Sequence, residues 1–305
     1  MNATILDTIT AAFVSALQSG QGVLASYSLP LLGVFAVIAF YVQLAPLVMS
    51  GGVGTGDAVA SVVLTMVKAG IFYWLLVNLA GIATAAFDTF LQWGIAPAGG
   101  GLSADTFRAP SMILDLGFRL GKPLRTFTDS FLNWAAIWQW PTLLTYSLAY
   151  YLIIGSFAAI VLHLMMTIIE YNMAVMVGMV LIPWGVLQPT AFFTEFSIGW
   201  LTGGLVRILV TAGMVGMAIP LFDLVQFKTT GGGDPTFYSA VICGLTSFIF
   251  AILSWVVPGR AALIAGRGVS LALHGGTLIA GAASSARGVL MVTSVIRGLS
   301  SMVRR

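Results

Sequence analysis

Apolar residues in this chain gather into long runs, each ending at a glycine, proline or polar cluster. A helix that crosses a membrane needs about 20 mostly apolar residues, and the runs are read on that scale. The first, over 29–49, is LPLLGVFAVIAFYVQLAPLVM and ends at SGGVGTGD. That glycine-rich stretch lacks the Lys-Ser/Thr ending and the preceding strand of a phosphate-cradling loop, so it reads as a turn. The second run, 58–80, holds Lys68 near its middle and continues as an amphipathic helix toward Trp93. The third, 143–168, lies within a window from Ser130 to Ile169 that has no Asp, Glu, Lys or Arg, and Glu170-Tyr171-Asn172 closes it. A short run over 173–187 ends in Pro183 and Pro189, and another follows Glu195 to about Leu224. The last, 236–257, stops at Pro258-Gly259.

The intervening segments have their own periodicity. Ile5, Ile9, Phe13 and Leu17 recur at spacing four, which predicts an amphipathic helix over 1–28, lying on a membrane or packed against a bundle. Residues 94–142 mix helical apolar spacing with four basic and three acidic residues. The tryptophans Trp134, Trp138 and Trp140 resemble the aromatic belt of a membrane surface. From 258 to 305 the chain is rich in Gly, Ala and Ser; its final stretch reads as a basic amphipathic helix suited to anionic lipid. The organisation is therefore a 1–28 amphipathic helix, two spans within 29–93, a 94–142 amphipathic loop region, a 143–257 helical core broken near 182–195, and a 258–305 tail. The fold class is all-α: a polytopic membrane protein with five or six hydrophobic helices and one broken or re-entrant segment.

Composition supports lipid as the solvent. Of 305 residues, 59% are hydrophobic and 8% charged, against roughly 25% charged in soluble domains. The net charge of +3 hides an asymmetry: six arginines and no acid follow residue 259, whereas seven basic residues face ten acids before it. Basic residues flanking a span stay in the cytoplasm, which places the tail there. If all six runs cross, the N-terminus and the 94–142 loop are cytoplasmic too. If 173–187 does not cross, both lie outside. The N-terminus lacks the positive start of a secretory signal, so the first span doubles as the insertion signal. The lone Cys243 can form no intrachain disulfide and reads as a buried small residue.

No set of catalytic residues emerges. His163 and His274 have no Cys, Asp or Glu at ligand spacing, and no GxSxG, HExxH or nucleotide-loop pattern occurs. His163 reads as a packed residue. No enzyme, metal or cofactor is expected. The conspicuous features are instead charges within apolar runs. Lys68 and Arg207 each face a pore, a partner or lipid headgroups, because an unpaired charge at bilayer centre costs at least about 2.5–3.5 kcal/mol. Glu170 and Glu195 flank the proline-broken stretch. Gly199 and Gly203, four apart, suit close helix contact, as do Ala212 and Gly216.

The stretch LIPWGVLQPTAFFTEFSIGWLTGGLVRILVTAGMVGMAIPLF resembles the central segment of the TrbL family, in the Pro183-Trp184-Gly185 step, Pro189 through Glu195, then Gly199-Trp200 and a glycine-rich apolar helix. The general layout is similar along nearly the whole chain. The resemblance implies a structural channel component in the bacterial inner membrane, part of a conjugative type IV secretion apparatus that transfers DNA. It implies a homo-oligomeric ring, a pentamer as the expected size, at the base of a stalk or pilus, with the 94–142 loop in the periplasm. Implied partners are a minor-pilin-like stalk subunit, a bitopic scaffold protein, the secretion ATPase, phospholipid, and translocated DNA or protein in transient contact. The competing reading is a secondary transporter or small channel with the proline-broken helix at its binding site. Such folds usually show two related halves, and the broken run has no counterpart near 29–80.

Overall fold

The computed structural model describes residues 4–49, 55–98, 104–130, 140–225 and 237–267, and these are helical almost throughout, with no strand among them. The elements are α1 (Thr4–Met49), α2 (Thr55–Ile95), a short 3₁₀ turn (Ala96–Ala98), α3 (Ala104–Arg108), α4 (Pro110–Ser130), α5 (Trp140–Leu181), 3₁₀ turns at Ile182–Val186 and Gln188–Thr190, α6 (Ala191–Val225) and α7 (Phe237–Arg267). Five of them are long and apolar enough to cross a membrane. The protein is a polytopic all-α membrane protein. At about 1.5 Å per residue, α1, α2 and α5 are each about twice as long as a ~30 Å hydrocarbon core requires.

α5 is the central post. It packs against α1, α2, α4, α6 and α7, and its buried face runs unbroken from Tyr146 through Ile153, Ile160, Leu164 and Tyr171 to Met179. Glu170-Tyr171-Asn172 therefore does not close a span. Tyr171 belongs to the buried stripe and donates its phenolic hydroxyl to the Ala83 carbonyl of α2 at 2.8 Å, so the helix continues to Leu181. The 173–187 run is the end of α5 and not a separate segment.

Three other expectations change. The boundary at residue 28 is absent: one buried stripe of Thr10, Gln21, Ser28, Leu32 and Ala39 spans α1. Along its first half Thr10 and Gln21 face inward while Ile5, Ile9 and Phe13 are exposed beside Ser15 and Ser19, so the apolar spacing-four stripe is not the face that packs on the bundle. Pro258 does not stop α7, which runs on to Arg267 with the proline inside it. The added turns hold because Ala262 and Gly266 pack against glycines of α6. The 94–142 region is mostly α3 and α4. α4 lies along the first half of α5, with Gly117 against Phe157, Gly121 against Tyr150 and Phe127 against Tyr146. Trp140 opens α5 and is exposed, whereas Trp134, Trp138 and the tail beyond 267 lie outside the described residues.

Candidate functional site

The chain reverses at IPWGVLQPT, and the reversal is a hairpin between two full helices, not a short segment dipping into the membrane. Pro183 and Pro189 sit in the two 3₁₀ turns. A proline lacks the N–H that an interior helical position needs, but it suits a helix start, so α5 ends and α6 begins here. Non-helical backbone at membrane depth must find partners inside the protein. Thr194 donates its hydroxyl to the Leu181 carbonyl at 2.8 Å, and Thr190 does the same to Trp184 at 2.8 Å. The turn is wedged against α1 and α2. Trp184 packs its ring on Phe35 with centroids 4.8 Å apart. A Cβ on Gly185 would come within 2.6 Å of the Phe72 ring and 2.7 Å of the Thr194 hydroxyl, so only glycine admits this approach.

The hairpin sets the register that pairs the charges. Arg207 donates from Nη1 to the Glu170 carboxylate, joining α6 to α5. Arg207 lies about one turn past the midpoint of the apolar segment Gln188–Ala218, and at that depth a lone guanidinium would be costly. The Arg207 side chain is 23% exposed and that of Glu170 43%. Its Nε is buried without an acceptor. Lys68, half-buried near the start of the α2 span Val62–Ile95, lies within electrostatic reach of Glu195. Of the two cations, Arg207 is thus ion-paired on the hairpin, while Lys68 only feels the field of Glu195. Glu195 falls in the second turn of α6, which begins at Ala191. His163 is buried and packs on Trp255 with centroids 5.1 Å apart.

Gly199 and Gly203 are used inside the chain. A Cβ on Gly199 would lie 2.7 Å from the Gly266 carbonyl oxygen, and one on Gly203 3.0 Å from that of Ala262. α6 and α7 therefore cross at backbone contact, as small residues in membranes permit. Above this crossing lies a groove of about 410 Å³, lined by Phe196, Trp200, the glycines and the Glu170–Arg207 pair.

Some polar contacts had no clear signal in the sequence. Asp88 pairs with Arg108, and Asp7 takes bonds from the Ser111 backbone and hydroxyl. These tie α3 and α4 to α1 and α2, at the mouth of a polar cavity of about 380 Å³ between α1, α2 and α5. Among the described residues no group of His, Cys, Asp and Glu is placed to hold a metal.

A polar-pinned hairpin inside a bundle of membrane-length helices is the context in which the sequence comparison becomes decisive. The model of the TrbL/VirB6 plasmid conjugal transfer protein family matches residues 38–257, from late α1 through most of α7. The chain belongs to this family. No curated protein matches the chain in sequence. As a TrbL/VirB6 protein it is a component of a conjugative transfer apparatus of the type IV secretion kind, and a multi-pass membrane protein. The family is one of structural conjugation components. The matched region contains the entire reversal, the Glu170–Arg207 pair and the α6 side of the α6–α7 crossing, whose α7 contacts Ala262 and Gly266 lie just beyond it.

Proposed function

We propose that the protein is the inner-membrane channel component of a type IV secretion apparatus, assembled as a homo-oligomeric ring, a pentamer as the expected size, at the base of a stalk or pilus. The observation that carries this reading is the TrbL/VirB6 match over residues 38–257, from the end of the first membrane-length helix into the fifth. The outer helices support it: the membrane windows of α1 and α2 are only 17% and 22% buried within the chain, against 56% for α5, which leaves wide faces for other subunits and phospholipid. Five crossings with a cytoplasmic tail put the N-terminus and the 94–142 region in the periplasm, where α4 is placed to meet a minor-pilin-like stalk subunit and the bitopic scaffold. The secretion ATPase would meet the cytoplasmic side, and DNA or protein in transit would touch the ring transiently. The test is complementation of a strain lacking this protein, scored by conjugation frequency together with native mass in mild detergent. Restored transfer by a ring supports the reading; full transfer by a strictly monomeric protein overturns it.

The polar cavity between α1, α2 and α5 favours a second reading, a secondary transporter or small channel. A solute that raises the thermal midpoint of a purified monomer would support it.

A further inference from the structure

The Glu170–Arg207 pair poses a problem the single chain does not solve. A side chain that is 43% exposed and charged cannot face acyl chains near mid-span without a cost of several kcal/mol, and the groove that exposes it is floored by glycine, which invites another helix to approach closely. Resting on the ring reading above, we propose that this groove receives α2 of a neighbouring copy, with Thr84 of one subunit over the Glu170–Arg207 pair of the next.

α2 supplies the complementary surface. Asn78, Gly81, Thr84 and Ala85 are all exposed, with Thr84 at the rim of the cavity between α1, α2 and α5, and a Cβ on Gly81 would meet nothing within 4 Å. The strip is smooth, and it carries two polar groups within the apolar segment Val62–Ile95. Their bonds go only to their own helix: Asn78 donates to the Trp74 carbonyl at 2.8 Å and Thr84 to that of Ala80 at 2.9 Å. Acceptor capacity on both side chains is left for a partner. Thus one face of the subunit offers hydroxyl and amide oxygens, and another offers a guanidinium and a partly open carboxylate.

Depth selects the pairing. Copies in a ring are related by rotation about the membrane normal, so touching groups must lie at similar depth in each copy. Thr84 follows Ala83, whose carbonyl accepts the Tyr171 hydroxyl. The Tyr171 ring lies 3.1 Å from the position of a Cβ on Gly204, and the neighbouring Gly203 touches Ala262. These contacts place Thr84, Glu170, Gly204 and Leu263 on adjoining turns of helices packed side by side. The two patches also lie on different faces, since α2 and α7 both pack against α6 while α2 has no substantial contact with α7. A contact between unlike faces is head-to-tail; it closes a ring where a self-complementary patch would stop at a dimer.

Cysteine cross-linking tests this in membranes that carry the whole apparatus. In a Cys243→Ser background, Thr84→Cys and Leu263→Cys are placed singly and together, and copper phenanthroline is added. Leu263 is 61% exposed at the groove, and both changes are small enough to be checked by unimpaired conjugation. The expected result is a disulfide ladder from dimer up to the closed ring with the double variant and no ladder with either single. Dimers from Thr84→Cys alone would show a two-fold contact and overturn the pairing. Absence of any ladder while native mass still shows a ring would overturn the pairing but leave the ring. A monomeric native mass would remove the ring reading itself.

Discussion

Glu170 and Arg207 lie within membrane-length apolar helices, and each offsets part of the other's charge there. Breaking the pair leaves an uncompensated group, for which an unsatisfied buried polar atom is a fair measure at about 1–3 kcal/mol. Arg207→Ala is expected to insert and accumulate but to lower the thermal midpoint in detergent and to cut conjugation at least about tenfold, which is ~1.4 kcal/mol at one equilibrium step. Exchanging the charges, with Glu170→Arg and Arg207→Glu together, should recover part of the transfer that either single reversal loses. Normal mating by Arg207→Ala would take the ion pair out of the mechanism. The charges themselves were legible in the sequence, as cations in apolar runs and acids beside prolines. Their pairing was not. Glu170 finds Arg207 only once the length of the 182–190 turn fixes how α6 slides on α5.

At the scale of elements, the hairpin depends on glycines that let rings and backbones come close. Gly185→Leu must displace Phe72 or open the turn, and overpacking of this kind costs about 1–3 kcal/mol. The expected outcome is a clear fall in thermal midpoint, whereas Gly33→Ala, where a Cβ meets nothing within 4 Å, should leave it unchanged. Gly199→Leu should drive α7 off α6 and expose Cys243-free single-cysteine reporters at Ala262 to thiol reagents that do not reach them in the parent. Gly199 and Gly203 stand out by spacing because small residues four apart lie on one helical face, and in the structure that face meets α7. Run length misled at two boundaries. Tyr171 looks polar in a linear scan yet is buried with its hydroxyl bonded, and Pro258 looks like a stop yet sits in a helix that α6 holds in place. Burial and tertiary bonds override local pattern in both cases.

At the scale of the whole molecule, the all-α membrane architecture followed from hydropathy, and the membership in the conjugal transfer family followed from the proline-glycine stretch that the family model also spans. The burial of Thr10, Gln21 and Ser28 on α1 could not be read, since an apolar stripe at spacing four looks alike whether it meets core or lipid. Topology is open to direct test. Met112, 54% exposed on α4, replaced by cysteine in a Cys243→Ser protein, should react with an impermeant maleimide added to intact cells stripped of outer membrane. Labelling only after lysis would reverse the orientation. The measurement that bears most directly on the central claim is the native mass of the protein extracted with its lipids. A ring predicts one dominant species at a fixed multiple of 32.1 kDa, lost on Arg207→Ala. A single-copy particle in the parent protein, with conjugation intact, would contradict it.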